Sequence, residues 1–148
     1  MKRKSVLFAI LAIIATGYIF YNSLQTAPES SAASKGIINF LYNHLSLYWK
    51  IDYSTLTLLV RKAAHIFEFF VQGLFISLAY LFGKNRFSKR VVYVMFFGLL
   101  TACTDELIQN FVYGRGCLVV DIWIDFIGVL LAVFLYFLIS AFSGKHRL

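Results

Sequence analysis

Ten side chains with chemistry to offer fall into three short stretches of an otherwise apolar sequence: Arg61, Lys62, His65 and Glu68; then Asp105, Glu106 and Gln109; then Arg115, Asp121 and Asp125. Guanidinium and ammonium groups bind phosphate. An imidazole beside a carboxylate can act as general acid or base, and gathered carboxylates can hold a cation. Ionisable groups at membrane depth are expensive to keep, so they face a bundle interior or a wet cavity and mark a working site.

The elements that must position these residues are membrane helices. The 148-residue chain is 60% hydrophobic, 18% aromatic and only 14% charged, with mean hydropathy +0.76. A soluble core of this size cannot hide so much apolar surface, whereas runs of about 20 apolar residues that cross a bilayer account for it. The net charge of +7 does not indicate nucleic acid, because the basic residues cluster in short stretches flanking the apolar runs. Cys103 and Cys117 have neither the spacing nor the companion histidines of a disulfide framework or a zinc finger.

The predicted fold class is an all-α membrane protein, a bundle of about four transmembrane helices with an extra amphipathic helix between the first and second. Residues 1–22 form the first span, with a cleaved signal peptide as the alternative because Ser31-Ala32-Ala33-Ser34 offers small residues beyond it. Residues 23–60 read as an extracytoplasmic linker, polar from Asn22 to Ser34 and carrying the single proline, Pro28. Within it, Ile38, Leu41, Leu45 and Tyr48 recur at helical spacing and predict a helix over 35–49 with Ser34 as N-cap. That helix either lies on the membrane surface or packs over the mouth of the bundle. The core, 61–142, holds spans at 62–82, 91–112 and 119–142, and 143–148 is a basic cytoplasmic tail.

Charge distribution orients the bundle. Lys2, Arg3 and Lys4, the four basic residues from Lys84 to Arg90, and Lys145 and Arg147 belong in the cytoplasm, which places both termini inside. Arg61 to Glu68 then sits at the outer end of the second span, Asp105 to Gln109 at the outer end of the third, and Asp121 and Asp125 at the outer end of the fourth. At about 1.5 Å per residue, the acids of all three come out roughly 10 Å below the outer boundary. Helical phase agrees: Arg61, His65 and Glu68 share one face, as do Asp121, Asp125 and Gly128, while Asp105 and Gln109 are an i, i+4 pair. Gly114 and Gly116 bracket Arg115 in a tight turn, and Gly128 is expected to permit close helix approach.

The motifs Arg61-Lys62-Ala63-Ala64-His65-Ile66-Phe67-Glu68, Thr104-Asp105-Glu106-Leu107-Ile108-Gln109, Gly114-Arg115 and Asp121-Ile122-Trp123-Ile124-Asp125-Phe126-Ile127-Gly128 together resemble the VanZ-like family of bacterial membrane proteins. The resemblance runs from Arg61 to about Val133. It implies a small multi-pass protein of the bacterial cytoplasmic membrane and cell envelope, whose namesake is associated with resistance to teicoplanin. It does not carry a reaction with it.

Chemically, Glu68, Asp105, Glu106, Asp121 and Asp125 outnumber the fixed cations Arg61, Lys62 and Arg115. A protonated His65, internal ion pairs or a divalent cation held among Glu68, Asp105, Asp121 and Asp125 would relieve the excess. Asp105 and Glu106 point about 100° apart, so one of them at most is expected to be central. Glu68 is expected to meet Arg115, Arg61 or His65.

Three functional readings follow. In the first, the partner is a membrane lipid or lipid-linked envelope precursor, whose head group is bound by Arg61, Lys62, Arg115, Gln109, Asp121 and Asp125. In the second, an enzyme acts on the same class of molecule, with His65 as acid or base, Glu68 orienting it, and Asp105 or Glu106 activating water. In the third, the charges form a salt-bridge network that fixes helix register.

Overall fold

The computed structural model describes residues 3–81 and 87–142, all helix and connecting loop. Five helices run in order: α1 (Arg3–Ser23), α2 (Ala27–Leu45), α3 (Tyr53–Leu81), α4 (Phe87–Gln109) and α5 (Val119–Phe142). Four contain stretches long and apolar enough to cross a membrane: Arg3–Ser23, Tyr53–Tyr80, Lys89–Gln109 and Val119–Ile139. The expected architecture, four spans with a helix between the first and second, is the one found. Lys2, Lys84, Arg86 and the basic tail 143–148 lie outside the described residues.

The connection after α1 differs from its sequence reading. The polar stretch taken as linker already belongs to α2, which begins at Ala27, and Pro28 occupies its first turn. There a proline lacks only an N–H that would go unpaired anyway. The cap is Thr26, whose backbone N–H and hydroxyl both donate to Glu29 Oε2, at 2.8 and 2.7 Å. These bonds hold the Glu29 carboxyl below the usual carboxylate range. Ser34, expected as the cap, is inside the helix and donates to the Ser30 carbonyl at 3.1 Å. The helix stops at Leu45, so Tyr48 and Trp49 stand in the following turn, both exposed. Ile38 is buried, Tyr53 of α3 donates to Asn39 Oδ1 at 2.9 Å, and the Tyr42 and Tyr53 rings meet edge to face. These contacts pack α2 against the start of α3.

α3 is the hub and touches each of the other helices. It begins at Tyr53, well before Arg61, and its 29 residues extend about 44 Å at the helical rise. Asp52 stands at its N-cap and accepts from the Thr55 N–H at 2.9 Å, the Thr55 hydroxyl at 2.7 Å and the Ser54 hydroxyl. Its closest neighbour is α5, and glycine makes that approach possible. A Cβ on Gly128 would lie 2.2 Å from the Ile66 carbonyl oxygen and 2.9 Å from the Phe70 nitrogen, and one on Gly98 of α4 would lie 2.6 Å from both methyls of Val129. Phe69, Val94, Ala102 and Val129 fill the centre with Ala12 and Ile19 of α1. Phe67, Phe96 and Phe134 face outward, as expected of side chains that meet lipid.

Midway along the bundle, a neutral polar contact joins three helices. Gln72 is buried and its amide donates to Thr16 of α1 at 2.7 Å and Thr101 of α4 at 2.9 Å. Both hydroxyls donate onward to carbonyls of their own helices, those of Ala12 and Phe97.

Candidate functional site

α3 and α5 run parallel and α4 runs antiparallel to both, which brings the three polar stretches to one end of the bundle. His65 is the meeting point: its Nδ1 lies 3.3 Å from Asp125 Oδ1 and 4.0 Å from Asp105 Oδ2. Asp105 and Asp125 are 0% and 1% exposed. Asp105 accepts from Gln109 Nε2 at 2.7 Å, so the i, i+4 pair on α4 is in direct contact, and its second oxygen accepts from the Ser23 hydroxyl. One Asp125 oxygen, Oδ2, is buried without a hydrogen-bond donor.

The remaining acids have other partners. Lys62 Nζ lies 2.5 Å from Asp121 Oδ1, an ion pair across α3 and α5. Glu106, 1% exposed, accepts from the Leu118 N–H at 2.8 Å and so holds the loop where α5 begins. A carboxylate there also suits the positive end of the helix. Both Asp105 and Glu106 are thus buried, but they do different things: Asp105 belongs to the His65 cluster and Glu106 secures the entry to α5. Glu68 meets none of the basic residues expected for it at hydrogen-bond distance; Asn22 Nδ2 donates to its Oε1 at 2.8 Å.

A cavity of about 290 Å³ opens above this cluster. Arg61, Lys62 and His65 line it from α3, Glu106 and Gln109 from α4, Asp121 and Asp125 from α5, and Gly114, Arg115 and Gly116 from the loop. Glu68 and Asp105 lie behind the lining. The loop turns at Gly114, whose φ of 74° is left-handed, and the Ala27 N–H reaches the Tyr113 carbonyl at 3.4 Å. Cys117 is exposed on the same loop and Cys103 is partly buried on α4, both free thiols.

The two arginines are the unsatisfied side of the cavity. Among the described residues, no carboxylate oxygen comes within 4.0 Å of Arg61 or Arg115. Arg115 Nε is buried without an acceptor. Burial, and after it the neighbouring Arg61 charge, push the Arg115 guanidinium down from the ordinary arginine range, while Asp105, Glu106 and Glu68 act the other way.

Sequence reasoning missed the contribution of α1. Asn22 and Ser23, expected at a span end and in a linker, donate to Glu68 and Asp105. Asn22 and Ser23 end the first span at the level of the other three polar stretches, so their depth is the signal that could have found them.

A family model described as VanZ/LLP1 matches residues 8–140, a range that takes in most of α1 and all of α2 as well as the three helices whose motifs suggested it. Comparisons with curated proteins and with solved structures find no match.

Proposed function

Since the chain belongs to the VanZ/LLP1 family of multi-pass membrane proteins, we propose that its cavity binds the anionic head group of a membrane lipid or lipid-linked envelope precursor. The observation that carries this reading is the pair of cavity-lining guanidiniums, Arg61 and Arg115, with no ion-pair partner among the described residues. A like-charged pair beside a desolvated cavity is relieved by a phosphate, which two guanidiniums can grip through several charge-assisted bonds. Lys62 contributes less, being held by Asp121. The acids across the cavity suit the sugar hydroxyls or ammonium of such a head group. In the proposed orientation both termini are cytoplasmic and the cavity opens at the outer leaflet. Reduced susceptibility to teicoplanin, the trait attached to the family's namesake, is the cellular effect assigned to it.

Native mass spectrometry of the gently extracted chain tests the reading. A co-purified phospholipid or lipid-linked glycan is expected on the wild type and absent from a folded Arg61→Ala, Arg115→Ala double variant. Wild-type protein free of lipid after extraction from native membranes would overturn it. A reporter at Arg86 that is accessible from outside would reverse the orientation.

One observation favours an enzymatic second reading. His65 lines the cavity with Nδ1 turned to the carboxylates of Asp125 and Asp105, and this leaves Nε2 as the nitrogen for a reactant. A carboxylate that orients an imidazole is the arrangement of a general base. An enzyme of this kind would accumulate bound substrate in His65→Ala, whereas a binding protein would retain the same ligand in both forms with no product in either.

A further inference from the structure

We propose that His65, Asp105 and Asp125 form a binding site for one divalent transition-metal ion, zinc or manganese, at the inner end of the cavity. The proposal stands whether or not the cavity takes a lipid head group. One donor atom from each residue lies within 4.8 Å of the other two, and the three come from α3, α4 and α5. Donors about 2.0 to 2.1 Å from a tetrahedral zinc are about 3.3 Å from one another. His65 Nδ1 and Asp125 Oδ1 are at 3.3 Å already, and His65 Nδ1 and Asp105 Oδ2 at 4.0 Å need only a small side-chain rotation.

A second, independent feature points to a missing partner. Asp125 is 1% exposed and its Oδ2 has no donor, though buried carboxylate oxygens ordinarily find one. The nearby ammonium does not supply it, because Lys62 is paired with Asp121. Two buried carboxylates carry the charge that a dipositive ion cancels. The outer shell is also in place: Gln109 and Ser23 donate to the two oxygens of Asp105, as partners that aim a ligand do.

The donor set selects the ion. An imidazole nitrogen disfavours calcium and magnesium, and the absence of thiolate among the three disfavours copper(I). Three protein ligands leave a further position toward the cavity, which His65 and Asp125 line, so that water or a phosphate oxygen can complete the coordination. Asp121 and Glu68, both candidates on sequence grounds, stand outside the set because Lys62 and Asn22 engage them.

The full chain, extracted in detergent, stripped with chelator and freed of lipid, is titrated with zinc and separately with manganese, and bound metal is measured after desalting. Uptake of about one ion per chain is expected, as is nitrogen hyperfine coupling from His65 in the electron paramagnetic resonance of the manganese form. Asp125→Asn should weaken binding at least 100-fold, and Gln109→Leu by about 10- to 100-fold as an outer-shell loss. Arg61→Ala should keep the metal while losing the head group, so the two ideas fail separately. Folded wild type that takes up neither ion at micromolar free concentration overturns the proposal. Bound manganese without nitrogen coupling also overturns it, and that measurement needs no variant to fold.

Discussion

Two polar layers cross this bundle, about two helical turns apart on α3 at His65 and Gln72, and they are built differently. At Gln72 the groups are neutral, the hydroxyls it meets pass their protons to carbonyls of their own helices, its own Oε1 is buried without a donor, and none of the three lines the cavity. At His65 the groups are ionisable, an oxygen of Asp125 and a nitrogen of Arg115 lack partners, and a cavity of about 290 Å³ adjoins them. Both layers join α3 to its neighbours, so holding helices together does not require charge. What sets the charged layer apart is that its unpaired groups are ionisable and adjoin a cavity, and there the proposed head group and metal would meet the chain.

Replacing Arg61 and Arg115 together by Ala should lower affinity for an anionic lipid by at least about 100-fold, since each charge-assisted hydrogen bond contributes about 1.5 to 3 kcal/mol; equilibrium binding in nanodiscs of defined composition reads this. Stability should change little, and a large loss of stability with unchanged binding would assign the arginines to the scaffold.

Gly128→Ala should strike both layers by forcing α5 off α3, at a cost of about 1 to 3 kcal/mol for overpacking. Its Cβ would meet main-chain atoms of Ile66 and Phe70, which cannot rotate away. Thermal unfolding in detergent measures the loss, and an unshifted midpoint would contradict the close approach. Gln72→Leu separates the layers: two interhelical hydrogen bonds at about 0.6 kcal/mol each amount to about 1 kcal/mol of stability. Lipid and metal binding should remain as in the wild type, and a defect in either would make Gln72 part of the site.

The smallest effect belongs to Asp52, exposed and outside both layers. Hydrogen bonds from Ser54 and then Thr55 hold its carboxyl well below the usual carboxylate range. A depressed folded value means that the cap acts fully above the unfolded carboxylate's pKa of about 3.9 and is lost as pH falls through the lowered one. Asp52→Ala should therefore speed amide exchange in the first turn of α3 at neutral pH, and the difference from wild type should disappear in strong acid. A difference that persists there would mean that the side chain acts through something other than its charge.

The spans and their meeting point were legible because hydropathy and helical rise are properties of the chain itself. The fourth span, predicted over 119–142, matches α5. The second did not begin where expected, because Arg61 and Lys62 read as a membrane boundary while in the structure they line a cavity inside a longer helix. The start of α2 was missed although Thr26-Ala27-Pro28-Glu29 spells a cap, a first-turn proline and a reciprocating acid. The small residues from Ser30 to Ala33 carry no apolar periodicity to continue that signal. Within the site, three helices could be brought to one level from sequence, but pairings could not. That Lys62 meets Asp121, and that Glu68 meets Asn22 instead of a cation, depends on helix rotation and side-chain rotamers, which spacing alone does not determine.

The bonds from the end of α1 bear on how the chain is made. Ser23 and Asp105 are 82 positions apart, and Asn22 and Glu68 are 46 apart. A ribosome adding about 5 to 20 residues per second leaves Ser23 waiting about 4 to 16 s for its carboxylate. Asp125 follows later still. The earliest helix thus reaches the bilayer with its polar end unmatched, and the cavity takes form only as α5, the last of the five helices, is threaded in.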